Sequence, residues 1–298
     1  MASLAVIGDQ ATQLGRVRSR TRYGINANDR HGVHARRALC GGYVGVARVF
    51  YSGMLPATWN PSKEGASPQS ACQVSFKADP ASVAAGHFDR RIVSWLNSIP
   101  SGWKVYFTFW HEPNDELRAG RFSAASYRAA WARLSHLVRE RAHLKRDVRV
   151  RLVPVFMAYN VGHAGYWSDS WVPRPSDVAF LSWDIYGNPT GGTGLRGPYP
   201  QPRKRINPCL LVTQRLGFEH WGVSEFNAPR RSWDTDESAR RRWLARFRQY
   251  ALSTERNVAP HLGAPRTLML WEGNGANWNQ TFQRDATWKW WSNVVDAR

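Results

Sequence analysis

Short apolar runs recur along this chain, and each is rich in aromatic and β-branched residues. Runs of this kind, bounded by turn residues, are typical of strands that are buried on both faces in a parallel sheet. The pattern predicts eight strands, at residues 22–26, 43–51, 72–77, 103–110, 148–157, 177–186, 221–226 and 267–271.

Amphipathic stripes lie between these runs. Three sets of side chains share a helical face: Phe88, Ile92, Trp95 and Leu96; Tyr127, Trp131, Leu134 and Val138; and Ala239, Trp243, Phe247 and Tyr250. Asp234, followed by Glu237, is a capping pattern that predicts the start of the last helix. Strands that alternate with helices form parallel βαβ units, and eight units in about 250 residues match a (β/α)8, or TIM, barrel. We predict an α/β chain with one such domain over residues 21–298, after an N-terminal extension over residues 1–20.

Two long segments have no periodicity. Residues 187–208 are rich in glycine and proline and follow the sixth predicted strand, and residues 59–70 follow the second. Loops that follow the strands of a barrel lie on the face that carries active sites. We therefore predict that residues 187–208 form a loop, border a ligand cleft and become ordered when a ligand binds.

The chain is strongly basic, with 41 Lys and Arg residues against 22 Asp and Glu and a net charge of +19. An excess of this size can indicate nucleic acid, an anionic membrane or an acidic polymer as partner. Arginine supplies most of the positive charge and is scattered along the chain instead of forming one stripe. Nucleic-acid binding is therefore not expected, whereas an acidic glycan remains a candidate ligand.

Targeting and cysteine content constrain the setting. No apolar run approaches the ~20 residues that span a bilayer, and the N-terminus lacks the pattern of a secretory signal peptide. We expect no membrane span, and favour an extracellular or virion-associated location that is reached without such a signal. The three cysteines, Cys40, Cys72 and Cys209, allow at most one disulfide and lack metal-ligand spacing. No metal or other cofactor is expected.

Two carboxylates end predicted strands. Glu112 follows the fourth strand in the segment FTFWHEPND, and Glu225 ends the seventh in WGVSEFN. A closed barrel brings the ends of these strands to opposite sides of one mouth. Cleavage of a glycosidic bond requires two carboxyl groups, one to protonate the leaving oxygen and one to attack or to direct water. The two motifs therefore predict glycosidic chemistry.

These motifs resemble the strand-four and strand-seven motifs of the clan A glycoside hydrolases, which are (β/α)8 barrels. The His111-Glu112 pair is similar to family 26, the mannanase-like group, whereas most of the clan has Asn-Glu there. The resemblance implies that Glu112 is the general acid/base and that Glu225 is the nucleophile. It also implies that Arg48 lies beside the nucleophile, that Tyr186 contacts it, and that Trp271 is the platform under the sugar at the cleavage point.

The two roles need different environments. An acid/base needs a raised pKa, and Trp110, His111 and Pro113 can give Glu112 an apolar wall. A nucleophile must be ionised, and Arg48 would hold Glu225 in that state. His111 would bind a sugar hydroxyl or Glu225, and Trp110 and Asp184 are further candidate substrate contacts. Glu272 is a rival nucleophile.

The leading hypothesis is a retaining glycoside hydrolase, with its two carboxyl groups about 5–5.5 Å apart. We expect it to be a monomer and to cleave a poly- or oligosaccharide at internal bonds. A carbohydrate-binding barrel without catalysis and a transglycosylase are the alternatives. Each residue also has a structural reading, as a salt-bridged strand end or as barrel packing. Several tryptophans in or near predicted mouth loops favour a polysaccharide over a disaccharide: Trp59, Trp110, Trp167, Trp171, Trp233 and Trp278.

Overall fold

A computed structural model describes residues 21–26, 44–65, 70–161, 163, 165–188, 194–253, 258–271, 290, 291 and 293. In these residues nine strands form one sheet in the order β5-β4-β3-β2-β1-β9-β8-β7-β6, and every pairing is parallel. The strands are β1 (Arg22–Asn26), β2 (Val46–Phe50), β3 (Ala71–Phe76), β4 (Lys104–Phe109), β5 (Arg149–Leu152), β6 (Val155–Met157), β7 (Leu181–Tyr186), β8 (Trp221–Asn227) and β9 (Thr267–Leu270).

The two end strands of this sheet, β5 and β6, are halves of one chain segment, separated only by Val153 and Pro154. The Val153 amide donates to the Phe107 carbonyl on β4 (2.9 Å), and the Ala179 amide donates to the Leu152 carbonyl (2.8 Å). The sheet therefore closes on itself as a barrel, which confirms the predicted fold class. The single strand predicted at 148–157 is wrong in detail, because proline has no N–H to donate to a ladder and interrupts the strand.

Helices follow most strands on the outside of the barrel. They are α1 (Pro80–Ala84), α2 (Asp89–Ser98), α3 (Asn114–Arg118), α4 (Ala124–His136), α5 (Ala158–Val161), α6 (Pro202–Arg215) and α7 (Ser238–Leu252), and a π-helical turn (Leu137–Arg141) extends α4. The predicted stripes bury their central side chains in α2, α4 and α7. Within the described part of the chain, no helix has the length and apolar character needed to cross a bilayer.

Two predictions about helix boundaries are wrong. Residues 202–208, placed in the long loop, form the first half of α6, where Pro202 occupies the first turn because that position needs no N–H donor. Helix α7 does not start at Asp234. Glu237 is its N-cap residue, in a left-handed conformation, and the Asp234 carboxylate reaches forward to accept from the free amides of Ala239 (3.0 Å) and Arg240 (2.8 Å).

The barrel interior is layered. A small apolar cluster occupies it: Val46, Ala71, Tyr106, Val153, Val155, Phe180 and Met269. Nearer the carboxyl ends of the strands is a hydrogen-bonded polar layer, in which Gln73 Nε2 donates to Thr108 Oγ1 (3.1 Å) and to Ser224 Oγ (3.0 Å), and Ser182 Oγ lies 2.7 Å from Ser224 Oγ. The larger aromatic core lies between barrel and helices. The charged side chains at the mouth therefore lie above a layer of polar side chains that are hydrogen-bonded to one another.

A bulge in β8 positions one of the candidate acids. The register between β7 and β8 shifts so that Trp183 pairs with Val223 and Asp184 pairs with Glu225, which leaves Ser224 as the extra residue. Ser224 bonds inside the barrel, and the next residue, Glu225, also faces inward. Strict alternation would turn one of the two outward.

Candidate active site

Glu112 lies just beyond β4 in a strained turn. Trp110 and Glu112 both have left-handed backbones, with φ of 43° and 53°, a conformation that is uncommon for residues other than glycine. The turn is attached to the neighbouring strand at two points. The Glu112 amide donates to the Val155 carbonyl (2.8 Å), and Asn114 Oδ1 accepts from the Met157 amide (3.0 Å). These contacts hold the Glu112 carboxyl group at the mouth.

Glu225 is held by one donor on each oxygen. Arg48 Nη1 donates to Oε1 at 2.9 Å, and the Tyr186 hydroxyl donates to Oε2. Burial raises the pKa of Glu225 to about 7, although the Arg48 charge opposes the rise. Arg48 therefore lies beside Glu225 as the resemblance implied, but burial outweighs its charge.

Arg48 also binds Asp184, the third carboxyl group at the mouth. The guanidinium is fully buried, and its Nη1 lies 3.3 Å from Asp184 Oδ1, while Nε donates to Ser75 Oγ at 3.4 Å. It also stacks over the Phe50 ring, 4.7 Å from the centroid. Asp184 is 1% exposed, so this residue, a candidate substrate contact in the sequence, lies beneath the surface of the mouth with Arg48 as its partner.

The three carboxyl groups form one cluster. Oxygens of Glu112, Asp184 and Glu225 all lie within 4.8 Å of one another. Burial raises the pKa of each group, and for Asp184, whose pKa lies well above its usual range, the Glu225 charge is the next cause. One arginine cannot neutralise three carboxylates, so the cluster retains protons at pH values where isolated acids have lost theirs. Asp184, the most buried, is the group that we assign as neutral.

Glu112 has a second cation nearby. Lys77 follows β3, and its Nζ lies 5.5 Å from the Trp110 ring centroid. Burial raises the pKa of Glu112, and the positive charges of Arg48 and Lys77 oppose that rise. His111 packs its ring edge against Phe50 at 5.2 Å. Burial, followed by the charges of Arg48 and Lys77, holds the pKa of His111 well below its usual range. His111 is therefore neutral near pH 7.

Trp271 follows β9 on the Glu225 side of the mouth. Its ring meets the Tyr186 ring edge-on, with centroids 5.2 Å apart, so the predicted platform and the tyrosine on Glu225 are in contact. Their roles toward a sugar remain predictions.

Several of the predicted tryptophan platforms are core residues. Trp59 and Trp171 are 5% and 9% exposed, and Trp59 packs against the Trp95 and Trp103 rings. Trp167 is half-buried against Trp183. These predictions are wrong because an indole in a loop can fold back into the core. Two others keep accessible surface, Trp110 in part and Trp233 at 50%. Trp278, Glu272 and Cys40 lie outside the described residues. Cys72 and Cys209 are buried and are not part of a disulfide.

Buried polar atoms without partners border the carboxyl cluster. Among the described residues these are Asn26 Oδ1 and Nδ2, Arg48 Nη2, Trp110 Nε1, His111 Nδ1 and Asn114 Nδ2. Buried donors and acceptors are normally satisfied, so such a group of exceptions favours a ligand or water that carries hydroxyl groups.

Three carboxylates at this spacing could also hold a cation. Here the Arg48 guanidinium already bonds two of them, and a hard cation would have to displace it. The donor set therefore fits proton chemistry better than metal binding.

The molecule is thus a closed (β/α)8 barrel with a carboxyl cluster at the carboxyl ends of its strands. Solved glycoside hydrolases share this fold. A β-1,3-glucanase and pollen allergen of Cryptomeria japonica superposes with a TM-score of 0.56 at 13% identity, over 84% of this chain and 89% of that one. The family 26 domain of an endo-β-mannanase/endo-β-glucanase of Prevotella bryantii superposes with a TM-score of 0.52 at 11% identity, over 93% of this chain and 88% of that one. A mannanase of Bacillus subtilis superposes with a TM-score of 0.51 at 12% identity, over 91% of this chain and 84% of that one.

These similarities confirm the (β/α)8-barrel fold that the sequence predicts. No protein-family model matches the chain, and no curated protein matches its sequence.

Proposed function

We propose that this protein is a retaining glycoside hydrolase that cleaves a polysaccharide, with Glu225 as nucleophile and Glu112 as acid/base. The observation that carries the proposal is the separation of the carboxyl oxygens, within 4.8 Å. Retaining enzymes place their two carboxyl groups about 5–5.5 Å apart, whereas inverting enzymes leave about 6.5–9.5 Å for a water molecule. The separation of the oxygens therefore supports the retaining arrangement over the inverting one.

In the first step, a Glu225 oxygen attacks the anomeric carbon as the bond to the leaving oxygen breaks. The Glu112 proton passes to that oxygen, and a glycosyl ester of Glu225 forms. Arg48 and Tyr186 orient the attacking carboxylate. A neutral Asp184 leaves the Arg48 charge to Glu225, which is ionised above its pKa of about 7, while burial favours the proton that Glu112 transfers.

In the second step, water attacks the same carbon, Glu112 accepts its proton, and Glu225 is released. Esterified Glu225 has no charge. The negative charges of Glu112 and Glu225 repel each other, so each ionised group raises the pKa of the other. When Glu225 loses its charge in the intermediate, the pKa of Glu112 falls, and the former acid becomes a base.

The names of the structural neighbours suggest substrates to test. They are mannanases and a β-1,3-glucanase, and this supports a neutral β-linked polymer of mannose or glucose. Cleavage within the polymer chain also belongs to the proposal, since these neighbours include endo-acting enzymes.

The direct test is incubation with β-1,4-mannan, β-1,3-glucan, β-1,4-glucan and an acidic cell-wall glycan, with products identified by mass and the first-formed anomer by proton NMR. We expect shorter products from one polymer, released with retained configuration. Inverted product would refute double displacement. Products longer than the starting oligosaccharide would favour the transglycosylase, and binding without products would favour the non-catalytic barrel.

A further inference from the structure

A row of exposed rings lies on the barrel mouth apart from the carboxyl cluster. Tyr159 and Tyr166 are 51% and 38% exposed. The Tyr159 and His163 ring centroids are 4.2 Å apart and inclined at 37°, and the His163 and Tyr166 centroids are 6.2 Å apart. The Arg118 guanidinium lies 4.4 Å from the Tyr166 centroid. We call these four side chains the ring row.

The ring row starts at the rim beside Glu112. Tyr159 belongs to α5, which directly follows β6, and Arg118 ends α3, which begins two residues after Glu112. The hydrogen bond from the Met157 amide to Asn114 Oδ1 (3.0 Å) joins the first residue of α3 to the last residue of β6. Arg118 lies four residues, about 6 Å of helix rise, beyond Asn114. The ring row therefore extends the mouth outward from Glu112.

The direction of the reaction gives this position a meaning. Glu225 attacks the anomeric carbon and Glu112 protonates the leaving oxygen, so the line from Glu225 to Glu112 points toward the leaving part of the polymer. Trp271 and Tyr186 lie at the Glu225 end, and the ring row lies at the Glu112 end.

Exposed rings are costly unless they have a partner. Isolated apolar side chains on a surface are ordinary, but here two tyrosines and a histidine lie next to one another. The Arg118 guanidinium beside them is paired with Asp115 at 3.3 Å. Aromatic faces stack on the flat apolar faces of ligands, while phenol hydroxyls and guanidinium N–H groups bind hydroxyls at the edges.

We propose that the ring row is a binding site for the sugar units of the leaving part of a neutral β-linked polysaccharide, beyond the unit that Glu112 protonates. This inference rests on the proposed function and extends it, because it predicts that affinity for long chains comes from a surface that the carboxyl cluster does not include.

The test compares the Tyr159→Ala/Tyr166→Ala double variant with Tyr159→Phe/Tyr166→Phe, which keeps the rings, and with Leu211→Ala, which removes an exposed apolar side chain (47% exposed) from α6. Substrates are β-1,4-mannohexaose, β-1,3-glucohexaose and the dinitrophenyl glycosides of mannose and glucose, whose leaving group ends before the ring row.

We expect the double alanine variant to lose roughly tenfold in kcat/KM on the hexasaccharide that the wild type cleaves, with its cleavage position shifted. Hydrolysis of the dinitrophenyl glycoside should stay within about twofold. Leu211→Ala should match the wild type, and the double phenylalanine variant, which keeps the stacking faces and lacks the hydroxyls, should lose clearly less than the double alanine variant. A double alanine variant that cleaves the hexasaccharide like the wild type overturns the inference while the proposed function stands. Equal losses on both substrates also overturn it, since they indicate a structural role.

If the wild type cleaves none of these substrates, the proposed function fails and calorimetric titration of the hexasaccharides decides the inference separately. Weaker binding by the double alanine variant alone would support the ring row as a sugar site. No binding by the wild type, or an unchanged Kd, would overturn it.

Discussion

Glu225 and Glu112 reach the same point of the barrel mouth by different routes. Glu225 belongs to β8, is 5% exposed, and has a donor on each oxygen. Glu112 belongs to a turn with a left-handed backbone, lies beyond the end of β4, and has the Arg48 and Lys77 charges and a hydrogen bond with Asp184 in its surroundings. The two are the same residue type, in one cluster, with different backbone conformations and different partners.

This difference supports the two roles that we propose for the glutamates of the cluster. A nucleophile must meet one carbon from a fixed direction, which suits a carboxylate clamped within a strand. An acid/base must first give and later take a proton, which suits a carboxyl group in a turn whose pKa responds to its neighbours. Variants at the cluster should therefore have unequal effects.

The largest effect is expected for Glu225→Ala. The variant lacks the atom that forms the ester, so turnover should fall by about 10⁴-fold or more. External azide fits the vacated space and should restore part of the turnover of an activated aryl glycoside, with inverted configuration in the glycosyl azide. Retained product, or full activity without azide, would remove Glu225 from its role.

A smaller and more selective loss is expected for Glu112→Ala. Loss of general acid catalysis should cost about 10²- to 10⁴-fold on a polysaccharide. A dinitrophenyl glycoside needs no proton on its leaving group, so the rate at which the glycosyl ester forms should be almost unchanged. Hydrolysis of that ester should be slow, and dinitrophenol should therefore be released in an initial burst. Equal losses on the two substrates in steady state and in the burst would erase the proposed distinction between the glutamates.

Arg48 connects the two sides of the comparison through stability. Arg48→Met would leave buried carboxyl groups without their cation and should lower the free energy of unfolding by about 3–5 kcal/mol. The matched control is Arg215→Ala, which breaks a closer pair, 2.7 Å from Asp169, whose side chains are 56% and 39% exposed. That pair should contribute about 1 kcal/mol or less. Urea unfolding of the two variants measures both, and equal losses would mean that burial does not set the value of the Arg48 contacts.

The smallest effect concerns pH. Folding raises the pKa of Glu225 from 4.5 to about 7, so between these values the native state binds more protons than the unfolded chain, and stability must fall as pH rises. For Glu225 the loss should be roughly 3 kcal/mol across that window.

Asp184 has a raised pKa too and contributes with the same sign. Asp184→Asn should therefore flatten the dependence while keeping the shape of the side chain. Unfolding free energies at about pH 5 and pH 7 test this, and an unchanged slope would mean that Asp184 is not the group that holds the proton. Glu64, whose pKa burial also raises, titrates in both proteins and cancels from the comparison.

Much of the architecture follows from local sequence patterns. The eight apolar runs and the three helical stripes lie where the sequence predicts, because burial on both faces of a strand leaves a continuous apolar signature. Pro154 was a readable signal for the break in the fifth strand, and Pro202 for the start of α6. The glycine-rich sequence before Pro202 obscured that start.

The electrostatics of the site could not be predicted in the same way. The motifs identified Glu112, Glu225 and Arg48, but the contact between Arg48 and Asp184 depends on strands 136 residues apart. The bulge at Ser224 is likewise a property of the pairing and not of the β8 sequence alone. The pKa values depend on burial, so they emerge only when the barrel is closed. Separation into domains, the monomeric state and the location of the protein stay predictions.

The interruption at Val153 and Pro154 divides the strands, in chain order, into two halves, which pair with each other between β1 and β9. The first, β1 to β5, supplies Arg48 and Glu112, and the second, β6 to β9, supplies Asp184 and Glu225. Neither half contains both acids, and the cation that serves Glu225 comes from the other half. Turnover would therefore report whether the two halves have assembled. Two fragments, one carrying β1 to β5 and the other β6 to β9, should each be inactive and should regain activity only when they associate and bring Arg48 and both glutamates together.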